Sequence, residues 1–375
     1  MSKSKDVAKL LGQCFFIGFD GLDLPATVQT FIEENSVAGV TLFANNYESP
    51  AQVAELINSI QAARGKGQPL AIAVDHEGGK VQRFKKHFTK FPEARIIGDQ
   101  DSPKLAYECA EVMAKELKTV GVNLVYAPVA DINTNPGNPV IGHRAYGETE
   151  ERVSKMVSAY VRGFITNGVQ CVVKHFPGHG DTSKDSHFHL PKITTPLETI
   201  LDREVKPFVK AFKARCEMVM TAHIIVAAVD PKVPATMSFT ILNDILRDQL
   251  RFRGLIISDD MEMKAIADHF GEADAALKAL EAGVNILLYH TEPFQVRAFD
   301  AILSKLTSPT GKIALAKLTD SAKKVTAYRA EHFSNYKPIY IPEIAAIIGS
   351  KEHLDLAKRL DKLVAKAAAA AAART

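Results

Sequence analysis

Short apolar runs alternating with amphipathic stretches predict an α/β fold, a single (β/α)8 TIM barrel with a C-terminal helical extension. Eight such runs fall within about 290 residues, the strand number of that fold at a size typical of it. No GxGxxG follows an early run, so the doubly wound open sheet lacks its usual support. Charged and polar residues gather just after the apolar runs, where a barrel builds its site. The barrel is assigned to residues 1–340 and the helical tail, ending in an Ala-rich segment, to 341–375.

The N-terminal MSKSKDVAKLLGQCFFIGFDG has a basic start, but Gly12, Gln13 and Cys14 interrupt its apolar part and no clean cleavage site follows. It therefore reads as leading into a first strand, around residues 11–19, rather than as a secretory signal. Strands are expected at 13–18, 39–43, 70–74, 123–128, 170–174, 218–222, 254–258 and 285–289. Helices are expected between them, for example at 50–63, 148–166, 196–214 and 239–250. Beyond the eighth strand come helices at 292–306 and 313–332, then an apolar segment at 337–348. The last helix, 351–374, ends in the alanines 367–373, which favour helix but bury little area, so a frayed or solvated end is expected.

At 46% hydrophobic and 24% charged, the 375 residues have ample material for a core. A net charge of +3 with no long basic run and no Trp argues against a nucleic-acid partner. Cys14, Cys109, Cys171 and Cys216 are scattered, with neither metal spacing nor a disulfide framework, which suits a reducing compartment. No run approaches the ~20 apolar residues of a membrane span. A cytoplasmic protein is expected; its oligomeric state is not legible.

Five expected strands deliver ionisable groups to one rim. The third runs into AVDHEGGKVQR, with Asp75, Glu77 and Arg83, and the fourth into APVADINTNPGNPVIGHRAYG, with Arg144. The fifth opens CVVKHFPGHGDTSKDSHFHLP, with Lys174, His175, Asp185 and His187. The sixth ends in TAHI, with His223, and the seventh in IISDDM, with Asp259 and Asp260. Hydroxyl groups both donate and accept, so such a set of carboxylates, cations and imidazoles suits a pyranose. Asp260 reads as the N-cap of a helix beginning in MEMKAIADHF.

KHFPGHGDT followed by DSH and LP resembles the signature loop of family 3 glycoside hydrolases of the bacterial β-N-acetylglucosaminidase type. The likeness covers about residues 10–300. It implies that Asp259, directly after the serine of the seventh strand, is the nucleophile, and that Asp185 and His187 form an acid/base dyad. It also implies that Asp75, Arg83, Arg144, Lys174 and His175 hold the sugar, with Glu77 and His223 as possible supporting groups. The implied activity is retaining exo-β-N-acetylglucosaminidase, with GlcNAc–anhydro-muramyl peptides of cell-wall recycling as substrates and neither cofactor nor metal. A carboxylate suits a nucleophile that must trap an oxocarbenium-like centre as an ester. Histidine, titrating near 6.5, can exchange a proton without the tuning a second carboxyl needs. The sequence departs from the family pattern at Glu262, where a small residue is common, at His76, where Gln is common, and before Arg144, where an acidic residue is usual.

Other readings remain open at this stage. A phosphorylase or another family 3 β-glycosidase would use the same nucleophile and dyad. A zinc hydrolase could draw on His175, His179, Asp181, Asp185, His187 and His189, although no H-E-x-x-H is present. A non-catalytic sugar-binding barrel would need neither nucleophile nor dyad.

Overall fold

The computed structural model describes residues 2–183, 185 and 190–373. Eight parallel strands close a barrel: β1 Phe15–Ile17, β2 Gly39–Leu42, β3 Ala71–Val74, β4 Leu124–Val125, β5 Gln170–Phe176, β6 Met218–Thr221, β7 Leu255–Asp260 and β8 Ile286–Leu288. Each strand pairs with its neighbours in sequence, and β8 closes on β1 through Phe15 opposite Leu287 and Phe16 opposite Leu288. The expectation of a (β/α)8 barrel with a C-terminal helical part therefore holds.

The two-residue period of the strands divides the core in two. Phe16, Ala71, Ala73, Leu124, Val172, Met218, Met220, Leu255, Ile257, Ile286 and Leu288 share one cluster inside the barrel. The alternate residues, among them Phe15, Ile17, Val40, Ile72, Val74, Val173, Val219 and Ile256, pack with the surrounding helices. Several crossover helices are started by local chemistry. Ser49 accepts from Gln52 N (3.2 Å) before Pro50–Ala63, and Ser102 from Leu105 N (3.2 Å) before Pro103–Thr119, each with proline at the first turn.

Helix Lys312–His332 has a role the sequence did not reveal. Its Val325 and Tyr328, with the following Phe333, join the interior cluster. Buried Arg329 donates to Gln13 Oε1 (2.8 Å), Gln68 O (2.9 Å) and Pro69 O (3.1 Å), just ahead of β1 and β3. This helix closes the end of the barrel at which the strands begin.

Other departures have local causes. Helix Ser2–Gly12 precedes β1, because Val7 and Leu11, four residues apart, bury one face. The expected helix at 196–214 divides into Leu197–Thr199, a π-helical turn Ile200–Glu204 and Lys206–Lys213, with Pro207 near the start of the last piece. The segment at 239–250 is π-helical over Thr240–Gln249. The apolar stretch after residue 337 forms a turn, Ile341–Glu343, and one short helix, Ile344–Ile347. The final helix, Lys351–Ala372, buries His353, Leu356 and Leu360 and exposes alanines 367–373. All four cysteines are buried free thiols. Among the described residues no helix is long and apolar enough to cross a membrane.

Candidate active site

The C-terminal ends of the strands open into a cavity of about 190 Å³. Asp75, Arg83, Arg144, Lys174, His175 and Asp259 line it, with Thr41, Phe43, Tyr126, His179, Met220, Asp260, Met263 and Leu288. Six of the sequence-predicted residues thus meet in one place. Lys174 and His175 reach it from consecutive positions because the register of β5 against β6 shifts between Val173 and Phe176.

The cations and carboxylates are interlocked. Lys174 Nζ lies 2.6 Å from both Asp75 Oδ1 and Glu77 Oε1. Arg144 grips Glu77 bidentately, Nε to Oε2 at 2.9 Å and Nη2 to Oε1 at 2.8 Å, while Arg83 Nη2 donates to Asp75 Oδ2 at 3.2 Å. Burial works to raise both carboxyls, yet the surrounding cations prevail and hold Asp75 and Glu77 below the usual carboxylate range. Glu77 does not line the cavity; it fixes the two donors that do.

A second, neighbouring cluster was not anticipated. Asp131, after β4, is fully buried and accepts from His175 Nδ1 (2.7 Å) and from the amides of His179 (2.7 Å) and His175 (3.3 Å). Burial and the nearby His175 lower the His179 pKa to about 4, so its imidazole is neutral. Asn138 donates to His179 O (2.9 Å) and Gly180 O (3.0 Å), tying the loop after β4 to the start of the histidine-rich loop. Glycine is required at 180, where a Cβ would lie 1.6 Å from Ile132 O. Asp131 carried one legible sign, its place just beyond the fourth apolar run, the same kind of position that marked Asp75.

Asp259 receives the Asp260 amide at Oδ1 (2.8 Å). Burial raises its carboxyl, but His175, His223, that amide and Lys174 lower it further, leaving an ionised carboxylate at the cavity wall. His223 is fully buried, with Nδ1 2.8 Å from the Thr236 hydroxyl and Nε2 donating to Asp260 O at 3.0 Å. It supports the backbone beside Asp259 and stays neutral, because burial lowers its pKa. Asp260 does not cap a helix as expected, since the next helix starts at Lys264. Its Oδ1 accepts from Glu262 N (3.0 Å) within a turn, and its Oδ2 lies 2.5 Å from His290 Nδ1.

Asp185 lies on an adjoining groove of about 380 Å³, which shares Val81, Val140 and Arg144 with the cavity. His187 lies outside the described residues, as does His189. Among the described residues, Asp260, Glu262 and His290 form the grouping that could hold a metal, with ligand atoms within 4.8 Å of one another. Its carboxylates already have partners: Glu262 Oε1 takes the amides of His290 (2.7 Å) and Thr291 (2.8 Å), and Oε2 takes the Thr291 hydroxyl (2.5 Å). Glu262 thus uses its extra length to fasten the end of β8 to that of β7.

Residues 9–328 match the glycosyl hydrolase family 3 N terminal domain. The chain belongs to glycosyl hydrolase family 3. Among relatives of this glycoside hydrolase, a beta-hexosaminidase A of Pseudoalteromonas piscicida is 34% identical over 332 residues, covering 82% of this chain and 56% of the relative, so the chain spans little more than half that protein's length. A beta-hexosaminidase of Nitrosomonas eutropha is 38% identical over 304 residues, covering 80% of this chain and 85% of the relative. In structure, the hydrolase resembles a family 3 beta-N-acetylglucosaminidase from Paenibacillus sp. str. FPU-7, with a TM-score of 0.86 at 34% identity, covering 95% of this chain and 68% of that one.

Proposed function

We propose that the hydrolase is a retaining exo-β-N-acetylglucosaminidase that releases terminal GlcNAc from peptidoglycan fragments, GlcNAc–anhydro-muramyl peptides among them, in the cytoplasm. The observation that carries this reading is an ionised Asp259 at the wall of a cavity whose remaining polar lining is matched to hydroxyl groups. At about 190 Å³ the cavity falls below the ~300–1,000 Å³ of sites for larger ligands, and one terminal sugar suits it. The names of the relatives support the acetamido sugar.

In this mechanism Asp75 accepts from sugar hydroxyls, Arg83, Arg144 and Lys174 donate, and His175, oriented by Asp131, completes the clamp. The Asp259 carboxylate attacks the anomeric carbon as the glycosidic bond breaks, giving a glycosyl ester. His187, paired with Asp185, protonates the departing oxygen, and its free imidazole then takes a proton from the water that cleaves the ester. The two inversions return the starting configuration. No step requires a metal or cofactor.

Water is favoured over phosphate as the acceptor by the charge of the described site. Asp75, Glu77, Asp131, Asp259 and Asp260 outnumber Arg83, Arg144 and Lys174, and each of these cations already faces a carboxylate. A dianion gains little there. The test is a panel of aryl β-glycosides of GlcNAc, glucose and xylose, with and without phosphate. GlcNAc should be the preferred sugar, and phosphate should neither accelerate turnover nor yield a sugar phosphate. Formation of GlcNAc 1-phosphate would overturn the hydrolytic reading, and equal turnover of glucoside would overturn the acetamido preference.

A further inference from the structure

We propose that His353 of the C-terminal helix is a positioning residue for the sugar site, holding the loop that carries Arg83 through Glu116 and Thr89. Helix Lys351–Ala372 lies beyond the family match at residues 9–328, and its polar outer face gives no sign of a role in the site. His353 is nevertheless 2% exposed. Its Nδ1 lies 2.9 Å from Glu116 Oε1, inside helix Pro103–Thr119.

Glu116 is fully buried, and its other partners belong to the segment after Arg83. Thr89 donates its amide to Oε2 (3.0 Å) and its hydroxyl to Oε1 (2.7 Å). Thr89 O accepts in turn from Gln82 Nε2 at 2.8 Å, and Gln82 Oε1 accepts from Phe91 N at 3.0 Å. Gln82 precedes Arg83, whose amide and guanidinium both bond to Asp75. Hydrogen bonds thus run from the C-terminal helix through Glu116 and Thr89 to the Gln82 side chain, and the backbone carries the connection from Gln82 to Arg83 of the proposed clamp. Leu356 and Leu360, buried on the same face of the helix as His353, hold the imidazole in register.

Removing the imidazole leaves Glu116 buried with one donor fewer, and the Thr89 loop loses its brace. The expected consequence is a less constrained Arg83 rather than an altered nucleophile. His353→Ala should raise KM for an aryl N-acetylglucosaminide and lower kcat/KM by roughly 3- to 30-fold, with kcat changed least, as coupling through packed networks allows. His353→Gln, which can still donate, should recover most of the loss, and Thr89→Val should reproduce it.

This inference rests on the proposal that Arg83 clamps the sugar, and a double-mutant cycle separates the two. Arg83→Ala alone must lower kcat/KM; if it does not, the clamp reading fails. Given that loss, adding His353→Ala to Arg83→Ala should cost little more, because the group it positions is already gone. Losses that multiply in the double variant, or a His353→Ala enzyme with unchanged KM, would overturn the positioning role. Thermal melts of each variant, run alongside, identify any that fails to fold; in that case Thr89→Val takes the place of His353→Ala in the cycle.

Discussion

Glu77→Gln is the sharpest test of how the cavity's cations are held. The substitution preserves shape and removes one negative charge from a side chain 4% exposed. In the native protein that charge faces Arg144 through two hydrogen bonds and Lys174 at 2.6 Å. After it is lost, Asp75 is left as the carboxylate in direct contact with Arg83 and Lys174, and Arg144 loses its paired carboxylate. Breaking a buried pair by removing one partner costs about 3–5 kcal/mol, and the retained amide oxygen puts this case at the lower end, about 3 kcal/mol. For a chain of this size that is roughly 4 °C of melting temperature. In the proposed clamp a freed Arg144 also misplaces the sugar, and a displacement of about 1 Å can cost ~10²-fold in turnover.

The acid dependence gives an independent reading of the same charge. The folded pKa of Glu77 is depressed, so its stabilisation is present above the unfolded carboxyl value of ~4.3 and is lost as pH falls through the folded value. Melting curves of wild type and Glu77→Gln should therefore differ most near neutral pH and converge in acid. A variant that melts with wild type at pH 7, or that keeps kcat/KM within a factor of about two, would refute the proposed interlock.

Three further outcomes are expected. His187→Ala should reduce disaccharide hydrolysis by roughly 10²–10⁴ and glycosylation by activated aryl substrates far less, with azide hastening release of the accumulated intermediate as a β-glycosyl azide; equal losses on all substrates without azide rescue would reduce His187 to a binding role. Burial raises the Glu204 pKa to about 7, so the stability linked to its bound proton is fully present below ~4.3 and is lost as pH rises through about 7; Glu204→Gln should gain melting temperature over wild type as pH rises from 5 to 8, and a pH-independent difference would contradict this. Exhaustive dialysis against a chelator should leave activity intact, and activity restored only by added metal would sink the assignment of the histidine loop.

The barrel was legible because buried parallel strands read as apolar runs: six of the eight lie within the expected stretches, and Gln170–Phe176 and Leu255–Asp260 overrun theirs by two residues at the C-terminal end. The gathering of Asp75, Arg83, Arg144, Lys174, His175 and Asp259 in one cavity was legible because charge placed directly after an apolar run has few structural uses. Asp131 escaped notice since one aspartate in a long polar loop resembles any turn former; only the fold brings it against His175. Closure of the barrel by Tyr328 and Arg329 was hidden for a related reason, because its partners lie some 160 to 320 positions earlier in the chain. Neither contact leaves a periodic trace. The brace from His353 to Glu116 is similar, a single buried pair between helices that each look amphipathic on their own.

The central claim is that Asp259 forms the covalent bond to the sugar. Incubating His187→Ala with an activated aryl β-N-acetylglucosaminide should accumulate the ester, and proteolysis with mass spectrometry should find one N-acetylhexosamine on the peptide carrying Ser258, Asp259 and Asp260. Fragmentation should place it on Asp259, and Asp259→Ala should abolish both label and turnover while leaving the fold intact. A label on Asp260, or an active Asp259→Ala enzyme, would contradict the account.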